Sequence, residues 1–366
     1  MRKHSVVISG GGTGGHLYPA LVLGRKLRSV APDLAQTYVG TRRGVEQKIM
    51  AEHGVRFIPM RIEGLKGRGL KSLRGLFLLP LAFVHSLWIL ARIRPSLVVG
   101  VGGYSSGPIV LLASGLRIPT VILEQNARPG FTNRLLARSV RQAVVAFPST
   151  LPFFKGKGVV LGNPVREEFY ALPAKRRSAT LNVLVFGGSQ GSRFLNDRVL
   201  AALPLLAAAK DRLRLTHQTG TNDFERVAAA YRASGFPGAE VAPYLPAMAG
   251  YFGKADLVVC RAGATTLAEL IAARKAALLV PFAGASDDHQ TGNARELEQV
   301  GGAVVLAEAE ATAEAISGRI LGFLGHPEEL DAMERNVGRL QAEDPAGRIA
   351  ALCLSLMKGG PKENPA

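Results

Sequence analysis

The earliest side chain with a clear chemical use is His16, which follows the first glycine loop, residues 9–15, Ser-Gly-Gly-Gly-Thr-Gly-Gly. A β-branched run covers 6–8 and a helical pattern covers 17–27, so the sequence predicts a loop between a strand and a helix. Glycines let backbone amides approach a ligand, and free N–H groups at a helix start suit a phosphate. The imidazole can exchange protons near neutral pH. The alternative is a tight turn without a ligand.

The second candidate for proton chemistry is Glu124, which ends the predicted strand 120–123. The second glycine loop, residues 101–108, follows the predicted strand 97–100 and leads into a helix. Ligands gather beyond the carboxyl ends of parallel strands, so both loops and Glu124 are expected along one edge of a sheet. The alternative for Glu124 is an ordinary helix cap or loop anchor.

The later part of the chain repeats this arrangement. The third glycine loop, residues 187–192, follows the predicted strand 181–186, and a helix is predicted to begin near Ala264. Thr265 and Glu269 lie four residues apart on that helix and therefore share a face. A carboxylate one turn into a helix can accept two hydrogen bonds from a ribose diol, or it can simply pair with the helix dipole.

Two other ligand classes are disfavoured. Residues 10–15 fit the G-x-G-x-x-G dinucleotide fingerprint, but residues 39–43, Val-Gly-Thr-Arg-Arg, lack the acidic residue that would hold an NAD ribose. The two arginines only weakly allow NADP. The predicted polar loop 281–293 contains Asp287, Asp288 and His289, but three adjacent side chains on a loop diverge, so we expect no metal site.

The alternating strands and helices that position these groups predict an α/β protein. At 366 residues the chain is too long for one ordinary core, so two domains are expected. We assign 1–163 to an N-terminal domain and 164–345 to a C-terminal domain. Residues 346–366, which contain a predicted amphipathic helix, are expected to rejoin the first domain. Residues 172–180 look like a linker by composition.

The charge balance predicts an anionic partner, because 45 Lys and Arg against 28 Asp and Glu give a net charge of +17. Phosphate substrates, anionic lipid surfaces and nucleic acids all fit, but no aromatic residues are interleaved with basic ones, which disfavours nucleic acid. Two cysteines, Cys260 and Cys353, indicate a reducing compartment. No signal peptide is evident at the N-terminus, so a cytoplasmic protein is expected.

A membrane-facing segment is predicted around residues 66–83. Apolar residues cover 76–90, but the run is too short to span a bilayer and is interrupted by Pro80, His85 and Ser86. A buried helix is one interpretation, and docking on an anionic membrane is the favoured one. The residues expected to dock are Lys66, Arg68, Lys71, Arg74, Leu76, Phe77, Leu79 and Phe83.

Seven blocks taken together resemble one family. They are 11–16 (GGTGGH), 102–108 (GGYSSGP), 124–126 (EQN), 162–166 (GNPVR), 187–191 (GGSQG), 260–269 (CRAGATTLAE), and Gln290 with Asn293. In order and spacing they are similar to the MurG family of bacterial peptidoglycan synthesis, from the first strand to about Asn293. Single blocks are weak evidence, but seven in order are strong.

The resemblance implies a GT-B glycosyltransferase fold, with two Rossmann-like domains whose parallel sheets face each other across a cleft. It implies transfer of N-acetylglucosamine (GlcNAc) from UDP-GlcNAc to the 4-hydroxyl of MurNAc in lipid I, giving lipid II with inversion. UDP-GlcNAc is then a substrate, and no cofactor or metal is expected, since no Asp-x-Asp motif ends a strand. The N-terminal domain would take the lipid acceptor and the C-terminal domain the donor.

Carried over by position, the resemblance also implies site residues. His16 is the first candidate for the general base, or alternatively orients the acceptor phosphate, and Glu124 is the second candidate. Acceptor binding falls to Gly102, Gly103, Tyr104 and Ser106. Donor binding falls to Thr13, Gly14, Gly15, Asn126, Arg166, Ser189, Leu245, Ala264, Thr265, Thr266, Leu267, Ala268, Glu269 and Gln290. Leu123 and His289 depart from residues common in relatives, so Leu123 is given no role and the loop around His289 is less certain.

The implied location is the cytoplasmic face of the inner membrane, with peripheral attachment and a place in cell-wall synthesis, cell shape and cell division. Other cell-wall synthesis proteins are possible partners. The alternatives are a UDP-GlcNAc 2-epimerase, which needs no membrane face, or another GT-B nucleotide-sugar enzyme. A basic nucleic-acid-binding protein is the rival from a different class, and salt-sensitive RNA binding would support it.

Overall fold

The computed structural model describes residues 4–11, 14–42, 44–62, 70–173, 175, 177–236 and 238–360, and for 14, 44, 45 and 70–77 the backbone alone. The chain forms two compact units, one made of Met1–Val165 with Ala342–Ala366 and the other of Arg166–Gln341. The first unit is therefore discontinuous in sequence, and the second is continuous.

The described strands of the first unit form one parallel sheet in the order β3-β2-β1-β4-β5-β6-β7. Its strands are β1 (Ser5–Ser9), β2 (Ala35–Thr41), β3 (Phe57–Met60), β4 (Leu97–Gly100), β5 (Thr120–Glu124), β6 (Gln142–Val145) and β7 (Gly158–Val160). Every residue of β1, β4, β5 and β6 is buried. Burial on both faces explains why these strands read as continuous apolar runs.

Helices cover both faces of this sheet. They are α1 (Gly14–Val30), α2 (Gly44–Glu52), α3 (Leu70–Ile93), α4 (Ser106–Gly115), α5 (Phe131–Leu136) and the last described helix, α13 (Pro345–Met357), with a 3₁₀ helix at Pro148–Phe154. One core contains residues of α1 and α13, and the other contains residues of α3 and α4.

The helix α13 belongs to the first unit through its apolar face. Ile349, Cys353 and Leu356 are buried in the core that also contains Leu23 of α1. Each fully buried aliphatic side chain contributes about 1.5–3 kcal/mol. The Asp344 side chain caps the helix by accepting a hydrogen bond from Gly347 N at 3.0 Å, and it pairs with Lys26 of α1 at 3.1 Å.

The second unit repeats the architecture with a parallel sheet in the order β10-β9-β8-β11-β12-β13. Its strands are β8 (Leu181–Phe186), β9 (Leu213–Gln218), β10 (Glu240–Ala242), β11 (Leu257–Cys260), β12 (Ala277–Leu279) and β13 (Ala303–Val305). The helices are α6 (Arg193–Leu206), α7 (Phe224–Ala233), α8 (Met248–Lys254), α9 (Ala264–Ala273), α10 (His289–Gln299), α11 (Ala313–Gly325) and α12 (Pro327–Gly338). Short 3₁₀ helices occur at Glu167–Phe169, Ala207–Arg212, Thr221–Asp223 and Ser286–Asp288. Two Rossmann-like α/β units are therefore confirmed.

The segment 172–180 is not a linker between the units, because it lies within the second one. Lys175 Nζ lies 2.6 Å from the buried carboxylate of Asp256, and Arg177 pairs with the same carboxylate at 3.5 Å. Composition suggested a linker because the acidic partner lies about eighty residues later in the sequence.

Two predicted loops are shorter than expected. The first helix begins at Gly14 rather than at 17, so Gly15 and His16 lie in its first turn. The predicted polar loop 281–293 ends at Asp288, and Gln290 and Asn293 lie on α10. Glycine, histidine, threonine and asparagine are weak helix formers, which is why sequence patterns placed both helix starts too late.

The helix α3 exposes an apolar face. Val84 and Trp88 are 67% and 56% exposed and lie with exposed Leu81 and Leu87, whereas the predicted contacts Leu79 and Phe83 are only half-exposed. Of the other predicted docking residues, Lys66 and Arg68 lie outside the described residues, and Lys71, Arg74, Leu76 and Phe77 have no described side chains. None of the described helices has both the length and the apolar character needed to cross a bilayer.

Candidate active site

In the first unit, the first two glycine loops meet backbone to backbone beyond β1 and β4. A Cβ on Gly103, which has φ of 79°, would lie 2.1 Å from the carbonyl oxygen of Gly11. A Cβ on Gly102, with φ of 95°, would lie 2.7 Å from Cδ2 and 2.8 Å from Nε2 of His16. Glycine is required at both positions, and Gly102 lets the imidazole of His16 lie against the second loop.

A buried carboxylate that the sequence analysis missed supports the first glycine loop. Glu46 of α2 accepts hydrogen bonds from the backbone N–H and the hydroxyl of Thr41, at 2.8 and 2.6 Å. A Cβ on Gly11 would lie 2.5 Å from Glu46 Oε2. An acidic residue in the first turn of a helix was the available signal, and its partner Thr41 ends the neighbouring strand β2.

Glu124 has the geometry of a loop anchor. One carboxylate oxygen accepts hydrogen bonds from the backbone and side-chain N–H groups of Asn126, at 3.0 and 3.1 Å. The other oxygen accepts hydrogen bonds from Gly130 N and Asn133 Nδ2, both at 2.9 Å. These four donors fill the carboxylate and fix the loop between β5 and α5.

Of the predicted acceptor residues, Tyr104 is half-buried and Ser106 is fully buried. The Ser106 hydroxyl donates to the carbonyl oxygen of Gly103 at 2.9 Å, so Ser106 shapes the second glycine loop. That Ser106 binds the acceptor stays a prediction. Thr13 lies outside the described residues.

In the second unit, the third glycine loop leads into α6. The Ser192 hydroxyl caps this helix by accepting a hydrogen bond from Leu195 N at 3.4 Å. Gly191 has φ of 75° and packs against the backbone that follows β9, since a Cβ there would lie 2.0 Å from Thr219 O. Ser189 is exposed. A loop of this kind presents backbone N–H groups to an anion.

Arg166 and Glu269 meet beside the start of α9. A guanidinium nitrogen of Arg166 lies 3.3 Å from Glu269 Oε1, another lies 3.0 Å from Glu168, and the guanidinium stacks 4.9 Å from the ring centre of Phe169. Glu269 is 14% exposed. Burial raises the pKa of Glu269 from 4.5 to about 7, although Arg166 opposes the shift.

The start of α9 supplies free amides, because the first N–H groups of a helix have no partner within it. Ala264, Thr265 and Thr266 are half-buried, and the buried hydroxyl of Thr265 makes no hydrogen bond in the structure. Leu267 and Ala268 are buried, and Leu267 N donates to Gly263 O at 2.9 Å. Helical periodicity turns the side chains of Leu267 and Ala268 into the core, and donor contacts by these two residues stay a prediction.

Gln290 fixes the segment that follows β12. Its Oε1 accepts hydrogen bonds from Ala262 N at 3.1 Å and from Phe282 N at 3.0 Å. The side-chain carbonyl oxygen of Gln290 is thus engaged within the protein.

Two further residues that the sequence analysis missed join these loops. Gln218, the last residue of β9, accepts a hydrogen bond from Leu245 N at 2.9 Å and donates to Gly188 O at 3.0 Å. The backbone N–H of Leu245 is therefore engaged within the protein. Arg261 donates to the Ser192 hydroxyl at 3.0 Å and pairs with Glu308 at 2.7 Å. No spacing rule signals such contacts between distant loops.

Asp287 and Asp288 both have positive φ and precede α10. Within the ranges that the structure describes, no group of three or more His, Cys, Asp and Glu side chains could hold a metal ion.

Comparison with known proteins defines the class first. Residues 6–145 match the glycosyltransferase family 28 N-terminal domain, and residues 182–349 match the glycosyltransferase family 28 C-terminal domain. The crystal structure of Acinetobacter baumannii MurG is similar with a TM-score of 0.81 and 30% identity, covering 96% of this chain and 99% of that one. The crystal structure of a putative UDP-N-acetylglucosamine 2-epimerase from Listeria monocytogenes is similar with a TM-score of 0.72 and 14% identity, covering 100% of this chain and 99% of that one. At this identity the likeness shows the fold alone.

Curated relatives specify the family. The UDP-N-acetylglucosamine–N-acetylmuramyl-(pentapeptide) pyrophosphoryl-undecaprenol N-acetylglucosamine transferase of Myxococcus xanthus is 45% identical over 356 residues, 96% of this chain and 93% of the relative. The protein of the same name from Syntrophus aciditrophicus is 41% identical over 357 residues, 96% of this chain and 99% of the relative. The chain belongs to this MurG family of N-acetylglucosaminyltransferases.

Proposed function

We propose that this protein transfers GlcNAc from UDP-GlcNAc to the 4-hydroxyl of MurNAc in lipid I, releasing UDP and forming lipid II. The observation that carries the proposal is the 45% identity to a transferase of that name over 96% of the chain. The glycine loops and the Arg166–Glu269 pair supply groups that suit both substrates.

The second unit is proposed to bind the donor. Glu269 accepts hydrogen bonds from the ribose diol, and its position one turn into α9, 3.3 Å from a guanidinium nitrogen of Arg166, supports this role. The free amides of Ala264 to Thr266 and the amide nitrogen of Gln290 contact the sugar. The backbone around Leu245 contacts the uracil. Gly14, Gly15 and Asn126 of the first unit are proposed as further donor contacts, as is Thr13.

Departure of UDP requires stabilisation of the charge that develops on its diphosphate. The third glycine loop with Ser189, the N-terminus of α6 and the Arg166 guanidinium supply N–H donors and positive charge. These groups are proposed to bind the leaving diphosphate. The proposed transfer uses no cofactor.

The first unit is proposed to bind the acceptor and supply the base. His16 removes the proton of the 4-hydroxyl as its oxygen attacks the anomeric carbon, and the bond between that carbon and the phosphate oxygen breaks with its electron pair. The configuration inverts, giving a β linkage. Gly102, Gly103 and Tyr104 contact the acceptor beside the His16 ring.

Glu124 is proposed to act as a positioning residue rather than the base. At least one of its four hydrogen-bond donors would have to be released before it could accept a proton from a substrate. Such a release leaves buried N–H groups unpaired, which costs about 1–3 kcal/mol for each group.

The exposed face of α3, Leu81 with Val84, Leu87 and Trp88, is proposed to dock on the membrane that carries the lipid acceptor. Tryptophan suits the boundary between headgroups and acyl chains, and a net charge of +17 favours an anionic leaflet. Peripheral attachment at the cytoplasmic face of the inner membrane follows. Contacts with other cell-wall synthesis proteins are also proposed, since this protein and those proteins would lie at the same membrane.

The test is transfer of radiolabelled GlcNAc from UDP-GlcNAc to a short-chain lipid I analogue by the purified protein. Labelled disaccharide product is expected. Release of ManNAc from UDP-GlcNAc without acceptor would instead support the epimerase, and failure to bind UDP-GlcNAc would refute both enzymes.

A further inference from the structure

The side chain of Gln218 connects two loops that the proposed function assigns to different parts of one nucleotide. In the β8–β9–β10 register, Gln218 lies opposite Phe186 on one side and Ala242 on the other. The third glycine loop begins after Phe186, and the segment 243–245 begins after Ala242. Gln218 thus lies between the third glycine loop, proposed to bind the diphosphate, and the segment 243–245, proposed to bind the uracil.

The contacts of Gln218 require an amide. Its Oε1 accepts from Leu245 N at 2.9 Å while its Nε2 donates to Gly188 O at 3.0 Å. The side chain is 1% exposed, so water cannot replace either bond. A carboxylate could keep only the first bond, and a thioether could keep neither.

The bond to Gly188 determines which way the next amide points. Gly188 has φ of 95°, and the described residues contain no cis peptide bond. In a trans peptide the carbonyl and the following N–H point in opposite directions. Because Gln218 and Gly191 N both bind the Gly188 carbonyl, the N–H of Ser189 is directed away from them.

The bond to Leu245 acts on the second loop in the same way. With the N–H of Leu245 turned toward Gln218, the carbonyl of Tyr244 in the same peptide is turned away. This carbonyl can accept a hydrogen bond from N3–H of a uracil.

We propose that Gln218 is a positioning residue for the nucleoside diphosphate of the donor, setting the spacing between the uracil-reading backbone and the diphosphate-binding amides. It touches neither substrate. The proposal rests on the proposed function, and it adds a determinant of nucleotide affinity that lies inside the sheet rather than at the surface that contacts the ligand.

The experiment compares Gln218→Met, which keeps the length and removes both bonds, with Gln142→Met. Gln142 is a second buried strand glutamine, in the first unit, and its Nε2 donates to Lys157 O at 3.0 Å. We expect Gln218→Met to raise the KM for UDP-GlcNAc about tenfold or more. This corresponds to the loss of about one hydrogen bond between the misaligned backbone and the nucleotide. The KM for the lipid I analogue should stay within about twofold. Gln142→Met should lower the Tm without changing either KM.

A second variant, Gln218→Glu, separates positioning from folding. When ionised, the new carboxylate faces the Gly188 carbonyl and repels it, so UDP-GlcNAc affinity falls. When protonated at lower pH, it can donate a hydrogen bond as the glutamine does, so its affinity relative to wild type at the same pH should recover. This ratio is measured on folded protein by calorimetry and decides the matter if Gln218→Met does not fold.

Wild-type affinity in Gln218→Met, an equal rise in both KM values, or a pH-independent ratio for Gln218→Glu would overturn the inference alone. If the wild-type protein does not bind UDP-GlcNAc, the proposed function fails, and this inference fails with it.

Discussion

The two units place buried carboxylates in opposite circumstances. Glu124 in the first unit accepts four hydrogen bonds from nearby N–H groups. Within the part of the chain that the structure describes, the Glu269 carboxylate in the second unit accepts a side-chain hydrogen bond from Arg166, and burial raises the pKa of Glu269 to about 7. A carboxylate whose donors come from the protein maintains structure, whereas one that lacks donors is ready to receive those of a ligand.

The largest effect should come from His16→Ala, because His16 is the base proposed for the first unit. We expect kcat to fall by about 10²–10⁴-fold, since the proton of the attacking hydroxyl then has no positioned acceptor. The KM for UDP-GlcNAc should change little. Steady-state kinetics with saturating acceptor measures both, and kcat near the wild-type value would exclude His16 as the base.

The next largest effect should be a loss of stability in Glu124→Gln. An amide nitrogen would then face an N–H donor of the protein, and the free energy of unfolding should fall by about 1–3 kcal/mol. Urea unfolding measures the change. The matched control is Glu269→Gln, which removes a desolvated charge and should not destabilise the protein. Equal destabilisation by both variants would contradict the inference that only the Glu124 carboxylate maintains the structure.

The affinity for UDP-GlcNAc should depend on pH through Glu269. The raised pKa means that ligand-free Glu269 is protonated below about pH 7, whereas ribose hydroxyls donate to the ionised form. Affinity should therefore be full above pH 7 and should fall by up to about tenfold per unit below it. Calorimetry with UDP-GlcNAc avoids the titrating terminal phosphate of UDP. A pH profile that persists in Glu269→Gln would assign the dependence to another group.

The smallest effect should be on membrane binding. Replacing Val84 and Trp88 with serine removes two exposed apolar side chains from α3, and co-sedimentation with anionic vesicles should weaken by about tenfold or less. Transfer to a water-soluble acceptor should not change. Leu205→Ser, at a residue that is 45% exposed on α6, is the control and should bind vesicles normally.

The sequence predicted the fold well because strand and helix periods are local. The strands 97–100 and 181–186 were predicted with their observed bounds. Helix starts were less accurate at Gly14 and His289, where a tertiary context overrides weak helix propensity.

Glu269 was selected from its spacing with Thr265, which is also local. The contact of Glu269 with Arg166 and the hydrogen bond between Gln218 and Leu245 each join residues far apart in the chain. No short window of sequence contains either pair. The burial that raises the pKa of Glu269 depends on the packed unit and could not be read from residue order.

The return of the chain to the first unit has a consequence for synthesis on the ribosome. Domains commonly fold in the order in which they emerge. Here the continuous unit, Arg166–Gln341, can be completed before the discontinuous one, because the core around α1 stays uncovered until Pro345–Met357 has been made. The unit that begins first is therefore finished last, and a nascent chain arrested before residue 345 would expose the apolar surface that α13 later buries.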